Sequence, residues 1–478
     1  METARAKSFF FVLLLSLLSL HVFSLSFSPI DNYLIDCGST VDATVDNRLF
    51  VSDSSCADSS YLLLASSSRS VQLSDRIYDS ARFFDRPSRY VFKIRDQGTH
   101  MVRLHFHQFN SSKIDFDDAQ FHVLVNNYVV LSNFSGGHQM SSPVVKEYLI
   151  WVDTEKLVLT FFPTKKSKFA FVNAIEVISA PKDLILDTAQ FVNGDKVENF
   201  DRLTKQALEV IYRVNVGGAK VTPFNDTLWR TWVPDEQFFR SIDVSRRVYF
   251  GGRIKYQDGG ASREVGPNYV YGTARVIAST NASIPNVNMT WDFPVMDDYK
   301  YLIRLHFCDI ASISLGLLYF NVYVNENLAY KDLDLSFVTG YALASPFYTD
   351  FVVDGDHSGV LSVSVGPSNK SMEYAIDGIL NGVEIMKMNK SMGILDGELC
   401  EGVILKSWPR TNTSLLFAFF AAVCVLLSLS VFITRKKRNE VKNSVAWSKL
   451  PMDVSEVNSN HGNQQMSVFQ NRQVINLP

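Results

Sequence analysis

The sequence predicts an all-β extracellular portion followed by one membrane-spanning α-helix. Between residues 27 and 413, short apolar runs alternate with Gly, Asn, Ser and Pro, and no long amphipathic helical pattern interrupts them. Residues 414–434 are apolar and uncharged, and four basic residues follow at 435–438. Several short motifs also recur in the same order later in the chain, which indicates a duplicated domain.

The first 26 residues have the layout of a secretory signal peptide. Basic residues precede an apolar core at 9–20, and Ser24 and Ser26 suit cleavage before Phe27. A signal anchor that stays attached is the alternative interpretation. Cleavage would leave residues 27–413 as an ectodomain on the outside of the cell.

The first copy, residues 27–180, is expected to be an antiparallel β-sandwich. In residues 100–107, HMVRLHFH, polar side chains alternate with Val102, Leu104 and Phe106. This period of two is typical of a strand with one apolar and one polar face. Many such short strands separated by turn residues favour two packed sheets. An aromatic content of 13% suits a β-rich core.

The second copy, residues 181–390, repeats the first. The matching motifs are IDCG at 35–38 and VNVG at 214–217, AR at 81–82 and 274–275, RLHF at 103–106 and 304–307, FHVLVN at 121–126 and FNVYVN at 320–325, and NAIEV at 173–177 and NGVEI at 381–385. We expect the join near residues 180–183. So short a linker would hold two sandwiches close together, with a cleft between them.

The remaining segments predict a single-pass type I protein of the plasma membrane. Residues 391–413 are interpreted as a juxtamembrane linker, and residues 414–434 would form about 30 Å of helix, enough to cross a bilayer. The basic residues at 435–438 favour the cytoplasmic side. The tail at 435–478 is rich in Asn, Gln and Ser, and we expect it to be disordered.

Glycosylation sequons support the same topology. All eight N-x-S/T triplets precede the predicted span and none follows it. They begin at Asn110, Asn133, Asn225, Asn281, Asn288, Asn369, Asn389 and Asn412. Their one-sided distribution predicts a secreted glycoprotein.

Four cysteines lie in the expected ectodomain: Cys37, Cys56, Cys308 and Cys400, whereas Cys424 lies inside the span. An even number in an oxidising compartment predicts two disulfides, for which three pairings exist. Proximity in sequence favours Cys37–Cys56 and leaves Cys308–Cys400.

Aromatic residues are the candidate ligand contacts, because sugar rings stack on exposed aromatic faces. They are Tyr78, Phe83, Phe84 and Tyr90 in the first copy and Trp229, Trp232, Tyr269 and Tyr271 in the second. The alternative for each of them is packing in a hydrophobic core.

Other chemistry has weaker support in the sequence. His105, His107 and His306 could suggest a metal site, but Arg103 shares the strand face and would repel a cation. The pairs at 117–118 and 297–298 are adjacent carboxylates, which we expect in turns rather than facing each other across a sugar. The sequence therefore predicts no metal, no cofactor and no catalytic residues. A net charge of −3 does not indicate nucleic-acid binding.

Five segments together resemble one plant receptor family. They are YLIDCGS at 33–39, ARFF at 81–84 leading into YVFKI at 90–94, VRLHF at 102–106, DTLWRTWVPD at 226–235 and YGTAR at 271–275. The chain resembles FERONIA-type (Catharanthus roseus type) receptor-like kinases, whose ectodomain carries two tandem malectin-like domains. The resemblance covers residues 30–390 and the span.

The resemblance implies a receptor at the plant cell wall. Its expected ligands are pectic wall polymers or secreted peptides of the rapid-alkalinisation-factor type, often beside a small GPI-anchored co-receptor. The sequence departs from the family in that V-A-I-K, H-R-D and D-F-G do not occur, so no kinase activity is expected of this chain. A kinase-less receptor-like protein and a truncated product of a receptor gene both remain open interpretations.

Two other function classes remain as alternatives. One is a lectin-like adhesion protein that anchors the wall without signalling, and the other is a membrane-tethered glycan enzyme. Association with a kinase after ligand binding would separate the receptor from the adhesion protein. Hydrolysis of wall oligosaccharides would favour the enzyme.

Overall fold

The structure is a computed structural model of the 478-residue chain. It describes residues 27–54, 61–65, 68–74, 76–110, 114–136, 142–194, 196–241, 245–278, 288–355, 357–371, 376–407 and 413–444. The predicted signal peptide, Cys56, Asn281, Asn412 and the tail beyond Ser444 lie outside these residues.

The first half of the chain forms short strands that surround one hydrophobic core. They are β1 (Asn32–Asp36), β2 (Ala43–Val45), β3 (Arg48–Ser52), β4 (Tyr61–Leu64), β5 (Ser68–Gln72), β6 (Ser80–Phe84), β7 (Ser88–Lys93), β8 (Gly98–Phe106), β9 (Gln120–Val125), β10 (Tyr128–Ser135), β11 (Val144–Val152), β12 (Lys156–Pro163), β13 (Ala170–Val172) and β14 (Ala174–Ser179).

The second half repeats this arrangement and adds two one-turn helices. Its elements are β15 (Thr188–Asn193), β16 (Lys196–Asp201), β17 (Leu208–Asn215), β18 (Val233–Pro234), β19 (Ser245–Tyr249), α1 (Asn268–Tyr271), β20 (Thr273–Ala278), β21 (Met289–Pro294), β22 (Lys300–Cys308), β23 (Tyr319–Val324), β24 (Asn327–Asp334), α2 (Leu335–Val338), β25 (Pro346–Asp354), β26 (Val360–Pro367), β27 (Ile376–Leu380) and β28 (Gly382–Met388). Two further helices follow, α3 (Glu401–Ser407) and α4 (Thr413–Ser444).

The predicted all-β architecture of two sandwiches is confirmed, and the sandwiches share a sheet. One 13-stranded sheet runs in the order β16-β15-β25-β22-β28-β17-β11-β8-β14-β1-β3-β2, with β18 beside β17. The halves meet where β11 pairs antiparallel with β17, through Tyr148 opposite Glu209 and Leu149 opposite Leu208. The two sandwiches are therefore joined by backbone hydrogen bonding as well as by the linker.

Each half of the long sheet packs its apolar face against smaller sheets. In the first half the opposing sheets are β10-β9-β12-β7-β4 and β13-β6-β5, and in the second they are β21-β26-β23-β24 and β19-β20-β27. Val102, Leu104 and Phe106 of β8 are wholly buried in the first core, as the alternating pattern predicts. A third apolar cluster lies where the halves join and includes Leu149 and Leu208.

The repeated motifs correspond to one local structure that is built twice. In the first copy the Gly38 amide donates to Asp53 Oδ1 at 2.9 Å, and Arg82 Nε donates to Asp53 Oδ2 at 2.9 Å. In the second copy the Gly217 amide donates to Asp235 at 3.0 Å, and Arg275 forms the equivalent ion pair. Both glycines have positive φ, of 82° and 71°. The repeats therefore preserve a turn that a side chain would disrupt.

The segment after β28 returns to the first sandwich. We name residues 391–407 the strap. The Leu395 amide donates to the Val129 carbonyl at 2.9 Å, and the Leu395 side chain is fully buried in the first core. Asp396 Oδ2 accepts from the Ser132 amide at 2.7 Å. This finding corrects the expectation that residues 391–413 are only a linker.

Helix α3 completes the strap. Its Ile404 is 1% exposed and packs with Leu124, Val129 and Phe162 of the first sandwich. One buried side chain in a seven-residue helix gives too weak a periodic signal for sequence reasoning to find. The strap therefore belongs to the ectodomain fold.

Helix α4 carries the predicted span. Within the described residues one helix is long and apolar enough to cross a membrane, with its apolar window at Phe419–Asn439. The helix continues through the basic residues to Ser444, so the first ten residues of the expected disordered tail are helical.

The structure does not contain the predicted Cys308–Cys400 disulfide, since both residues are free thiols. Cys308 ends β22 and is fully buried among side chains of the second sandwich, including Tyr271 and Val265. Cys400, in contrast, precedes helix α3, which packs on the first sandwich. Cys37 is buried. Its predicted partner Cys56 lies outside the described residues, so the Cys37–Cys56 pair stays a prediction.

We expect Cys308 to resist alkylation in the native protein. Burial raises the pKa of its thiol, so it has neither access nor thiolate character. Iodoacetamide should label Cys308 only after unfolding, as read by peptide mass spectrometry, while half-buried Cys400 serves as the more accessible comparison. A Cys308–Cys400 cross-linked peptide in the non-reduced protein would contradict this assignment.

Candidate functional site: the cleft between the sandwiches

The polar face of the joined sheet carries a network of buried charges. Strand register places Arg103 of β8 directly opposite Glu147 of β11 and Glu176 of β14. Arg103 donates to both, at 2.7 Å to Glu147 and 2.9 Å to Glu176. Glu176 also accepts from Arg48 at 2.6 Å and lies 3.0 Å from His105 Nε2. These residues are all less than 10% exposed.

The network continues into the second sandwich. Arg213 of β17 donates to Glu147 at 2.7 Å and, through its Nε, to Glu384 of β28 at 2.7 Å. Glu384 in turn lies 3.1 Å from His306 Nε2. Glu384 and His306 occupy the positions of Glu176 and His105 in the repeated motifs. Arg213 is thus the residue that joins the two halves of the network.

Further contacts cross the junction beside this network. Glu209 of β17 forms salt bridges with Lys146 of β11 at 2.9 Å and with Lys387 of β28 at 2.7 Å. Arg103 also donates to the Leu228 carbonyl of the second sandwich at 2.8 Å. Every charge at the junction therefore has an opposite partner, as buried ionic groups require.

The second sandwich contains an equivalent of the Arg103–Glu147 pair. Arg304 of β22 is fully buried and forms a two-point ion pair with Asp350 of β25, at 2.8 and 2.7 Å. The ring of Tyr348 lies 4.5 Å from the Arg304 guanidinium. The duplication has therefore kept the charged face as well as the core.

The carboxyl groups are held in their charged forms. Burial alone would raise the pKa of Glu147, but Arg103 and Arg213 outweigh it and lower that pKa to about 2. The pKa values of Glu176 and Glu384 are also lowered against the effect of burial, mainly by Arg103 and Arg213 respectively. Burial lowers the pKa of His306 more than Glu384 raises it.

We expect the ectodomain to lose stability in acid. Because the folded-state pKa of Glu147 lies below its ordinary 4.5, its contribution is complete above about pH 4.5 and is lost as the pH falls toward 2. A shift of this size corresponds to a loss on the order of 3 kcal/mol. Urea unfolding at pH 7, 4 and 3 would measure it. Glu147→Gln should make the free energy of unfolding less dependent on pH. An unchanged pH dependence would contradict the role assigned to Glu147.

A cavity of about 440 Å³ opens where the network reaches the surface between the sandwiches. Trp229 of the second sandwich and Tyr78 of the first both line it and are half-buried. The Arg48 guanidinium lies 5.1 Å from the Trp229 ring and 5.3 Å from Phe50. The Tyr78 hydroxyl lies 2.9 Å from His105 Nδ1. This is the cleft expected from the short linker.

The cleft combines aromatic faces with hydrogen-bonding groups. Arg48 Nε has no hydrogen-bond partner among the described residues. That nitrogen is buried, and the polar residues that line the cleft beside Trp229 include Asp46, Thr231 and Gln237. Such an arrangement suits binding of a polar ligand.

The eight predicted aromatic contacts are divided between the cleft, the surface and the cores. Tyr78 and Trp229 line the cleft, and Tyr269 is 55% exposed on helix α1. The other five are fully buried, which corrects their assignment as ligand contacts because they present no face to solvent. They are Phe83, Phe84, Tyr90, Trp232 and Tyr271.

The buried aromatic residues have structural partners instead. Tyr90 donates to Asp53 at 2.9 Å, and Trp232 Nε1 donates to Asp226 at 2.8 Å. The Tyr271 hydroxyl lies 2.9 Å from His306 Nδ1. These hydrogen bonds fix core side chains around buried carboxylates and histidines.

The histidine and carboxylate patterns also have structural roles. His105 uses both ring nitrogens, one toward Glu176 and one toward Tyr78. The pair at 117–118 lies in a 3₁₀ turn at Phe116–Asp118, as expected. The pair at 297–298 is also in a turn, where Asp298 has a φ of 62°.

The described sequons differ in accessibility. Four asparagines are exposed, namely Asn110, Asn133, Asn225 and Asn369. Asn288 and Asn389 are half-buried, and Asn389 Oδ1 accepts from the Ala207 amide at 2.7 Å. Glycosylation therefore remains a prediction that the first four sites fit best.

Sequence reasoning did not find Arg48, Glu147 and Arg213 as site residues. Glu147 follows Lys146 and directly precedes the apolar stretch 148–152 of β11, and a charge that borders a buried run indicates a buried partner. Arg103 and Glu176, by contrast, lie within the repeated motifs. The sequence shows that Arg103 and Glu176 are repeated in the second copy, but their pairing depends on strand register.

Two joined sandwiches, followed by one apolar helix, define a malectin-like receptor ectodomain. The Malectin-like domain family model matches residues 35–388. From Arabidopsis thaliana, the probable receptor-like protein kinase At5g24010 is 41% identical over 91% of this chain and 52% of its own length. Receptor-like protein kinase THESEUS 1, from the same plant, is 40% identical over 78% of this chain and 43% of its own length.

Solved structures agree with the sequence relatives. A crystal structure of the plant peptide RALF23 in complex with FER and LLG2 matches with a TM-score of 0.65 and 30% identity, over 78% of this chain and 99% of that chain. The chain belongs to the malectin-like domain family, and its homologues are Catharanthus roseus-type receptor-like kinases. It spans about half the length of the curated relatives that it matches.

Proposed function

We propose that this chain is the ligand-binding part of a plant cell-surface receptor. Its ligand would be a secreted peptide of the rapid-alkalinisation-factor type, bound together with a small GPI-anchored co-receptor. The observation that carries this proposal is the similarity to FER, whose structure contains RALF23 and LLG2. The matched region includes both sandwiches of this chain.

Binding of synthetic RALF23 to the full chain in detergent micelles tests the proposal. We expect saturable binding that becomes at least tenfold tighter when LLG2 is added. A scrambled peptide of the same composition controls for charge. Equal binding of the scrambled peptide, or no binding with LLG2 present, would reject the proposal.

A wall carbohydrate is a second candidate ligand, favoured by the cleft. Tyr78 and Trp229 line the cleft together with the polar residues Thr231 and Gln237. Stacking of a sugar ring on an aromatic side chain is a common form of carbohydrate recognition. An extended oligosaccharide would contact both sandwiches.

Replacing Trp229 by Ala is expected to weaken binding of pectic oligosaccharides at least fivefold, because it removes the larger aromatic face of the cleft. Calorimetric titration of the full chain would measure this change. Tyr249→Ala removes a 78% exposed aromatic residue outside the cleft and is the matched control. Equal affinity of both variants would place the carbohydrate elsewhere.

We further propose a type I orientation, with the sandwiches outside the cell. The support is the position of the sequons before the span and of the basic cluster after it. Digestion of intact cells with an N-glycosidase should shift the ectodomain in electrophoresis. A tag placed after Pro478 should be protected from external protease, and its digestion would reverse the orientation.

V-A-I-K, H-R-D and D-F-G do not occur among these 478 residues. Signalling by such a receptor depends on a kinase domain, which either a partner or a longer product of the same gene supplies. Ligand-dependent co-precipitation of a kinase supports the receptor over a wall-anchoring adhesion protein. Ligand binding that does not recruit a kinase favours the wall-anchoring adhesion protein. Transcripts that continue into a kinase would assign phosphorylation to the same gene product.

A further inference from the structure

A buried carboxyl group in the first sandwich uses only one of its two oxygen atoms for hydrogen bonding within the described part of the chain. Asp36 ends β1 and is 1% exposed. Its Oδ1 accepts from the Ser80 hydroxyl at 2.5 Å. Its Oδ2 is buried and has no hydrogen-bond partner among the described residues. An unpaired carboxylate in such a place is costly, and proton uptake removes that cost.

The duplicated domain shows what this position requires. Asn215 of the second copy stands at the place of Asp36 in the repeated motifs. Asn215 Oδ1 accepts from the Thr273 hydroxyl at 2.8 Å, which matches the bond that Ser80 donates in the first copy. Asn215 Nδ2 donates to the Ala219 carbonyl at 2.8 Å. The second copy therefore uses a hydrogen-bond donor at the position that corresponds to Asp36 Oδ2.

The framework around the two side chains is equivalent. Asn173 Nδ2 donates to the Ser80 carbonyl at 2.8 Å, and Asn381 Nδ2 donates to the Thr273 carbonyl at 2.8 Å. The two glycine turns that follow are held by equivalent aspartates, as described above. The comparison of a carboxyl group with an amide is therefore a comparison of one site in two chemical forms.

The described elements packed against Asp36 do not pair it with a positive charge. The residues opposite it in the neighbouring strands are Ala174 of β14 and Ser52 of β3, which carry no charge. Strand β6 contains Arg82, but the guanidinium of Arg82 forms its salt bridge with Asp53. A negative charge at Asp36 would therefore be buried without compensation.

The other ionisable groups that face Asp36 are acidic or neutral. Asp53 and Asp42 act on it as like charges. The Cys37 thiol next to it in the chain is neutral, because burial raises the pKa of this thiol well above its ordinary value. The surroundings thus favour the neutral form of the Asp36 carboxyl group.

Burial is the largest cause that raises the pKa of Asp36, from an ordinary 3.8 to about 6, and the two like charges add to it. The hydroxyl groups of Ser80 and Ser39 oppose this rise. The Ser39 hydroxyl also donates to the Val41 carbonyl at 2.6 Å. The direction agrees with the geometry, since a protonated carboxyl group has an O–H donor where the second copy has an N–H donor.

We propose that Asp36 is a proton-dependent switch in the first sandwich. When its carboxyl group takes up a proton, the new O–H donates within the turn at residues 37–42, as Asn215 does in the equivalent turn of the second sandwich. When the proton is lost, a buried negative charge faces Asp53 and Asp42, and the turn loosens. The second sandwich has a permanent donor at this position, so it does not contain this switch.

The sign of the effect is opposite to that of Glu147. Because the pKa of Asp36 is higher in the folded state, its contribution to stability is complete below pH 3.8 and is lost as the pH rises through about 6. The contribution of Glu147 is instead complete above about pH 4.5. A comparison of pH 5 with pH 7.5 therefore measures Asp36 without interference from Glu147.

Thermal unfolding of the full chain in detergent micelles, with Asp36→Asn against wild type, tests the switch. Between pH 5 and pH 7.5 the wild type should lose about tenfold in its folding equilibrium constant relative to the variant. The unfolding temperature of Asp36→Asn relative to wild type should therefore rise by about 3 °C over this range. A difference that is the same at both pH values overturns the inference.

Two further variants serve as controls. Asn215→Asp places a carboxyl group in the second copy, and its unfolding temperature relative to wild type should fall by a similar amount between pH 5 and pH 7.5. Asp201→Asn removes an exposed carboxylate from β16, and its difference from wild type should not depend on pH. The same pH dependence in Asp36→Asn and Asp201→Asn would mean that net charge causes the effect, which overturns the inference.

Hydrogen exchange locates the change. After correction for the effect of pH on intrinsic exchange, the amides of residues 37–42 should be less protected at pH 7.5 than at pH 5 in the wild type and equally protected in Asp36→Asn. Equal protection at both pH values in the wild type overturns the inference. Failure of Asp36→Asn to fold would also overturn it, because an amide is expected to replace the protonated carboxyl group.

Discussion

Replacing Arg213 by Met is expected to lower the free energy of unfolding by about 3–5 kcal/mol. Arg213 is buried and pairs with Glu147 and Glu384 at once. Methionine fills much of the volume but leaves two buried carboxylates short of a partner. Chemical denaturation of the variant and the wild type at pH 7 would measure the loss.

The matched control is Arg247→Met. Arg247 also pairs with a glutamate, Glu236, but the two side chains are 54% and 46% exposed. Exposed ion pairs contribute about 0–1 kcal/mol, so this change should be nearly silent. A similar loss in both variants would mean that the network at the junction has no special role in stability.

Replacing Gly38 by Ala is expected to cost about 3 kcal/mol or more, because backbone strain and overpacking add. Gly38 has a φ of 82°, and a Cβ there would lie far inside van der Waals contact with the Ala81 carbonyl. Gly259→Ala separates the two terms. Gly259 has a φ of 80° but open space around it, so only the strain of about 1–2 kcal/mol applies.

Thermal unfolding of Gly38→Ala and Gly259→Ala would compare the cost of backbone strain with overpacking to the cost of strain alone. Gly217 occupies the equivalent position of the second copy and meets the Ala274 carbonyl in the same way. Gly217→Ala should therefore behave like Gly38→Ala. Equal effects of Gly38→Ala and Gly259→Ala would show that the close approach to Ala81 is relaxed at little cost.

The fold was predictable because its signals are local and repeated. Alternation in β8 identifies a strand, although both of its faces are buried in the structure, and the recurrence of RLHF and NxxEx identifies two copies. The joining of both sheets through β11 and β17 was not predictable, because those strands pair across the domain boundary. Strand pairing at long sequence separation leaves no local pattern.

The candidate site was predictable only in part. Tyr78 and Trp229 were found as aromatic candidates, yet Tyr90 and Trp232 gave the same signal from within the cores. Composition cannot separate these cases, since aromatic residues serve both cores and binding surfaces. The strap was missed because its apolar residues form only short runs, at 394–395 and 403–405, without a helical or strand period.

The strap also determines which part of the ectodomain bears mechanical tension. The second sandwich is nearer to the span along the chain, but the strap fastens the chain to the first sandwich through Leu395 and Ile404 before the span begins. A pull on the span therefore reaches the first sandwich directly. The second sandwich lies between the linker and the strap along the chain, so it carries little of this tension while the strap stays attached to the first sandwich. If the strap peels away, tension transfers to the second sandwich and to the junction of β11 with β17.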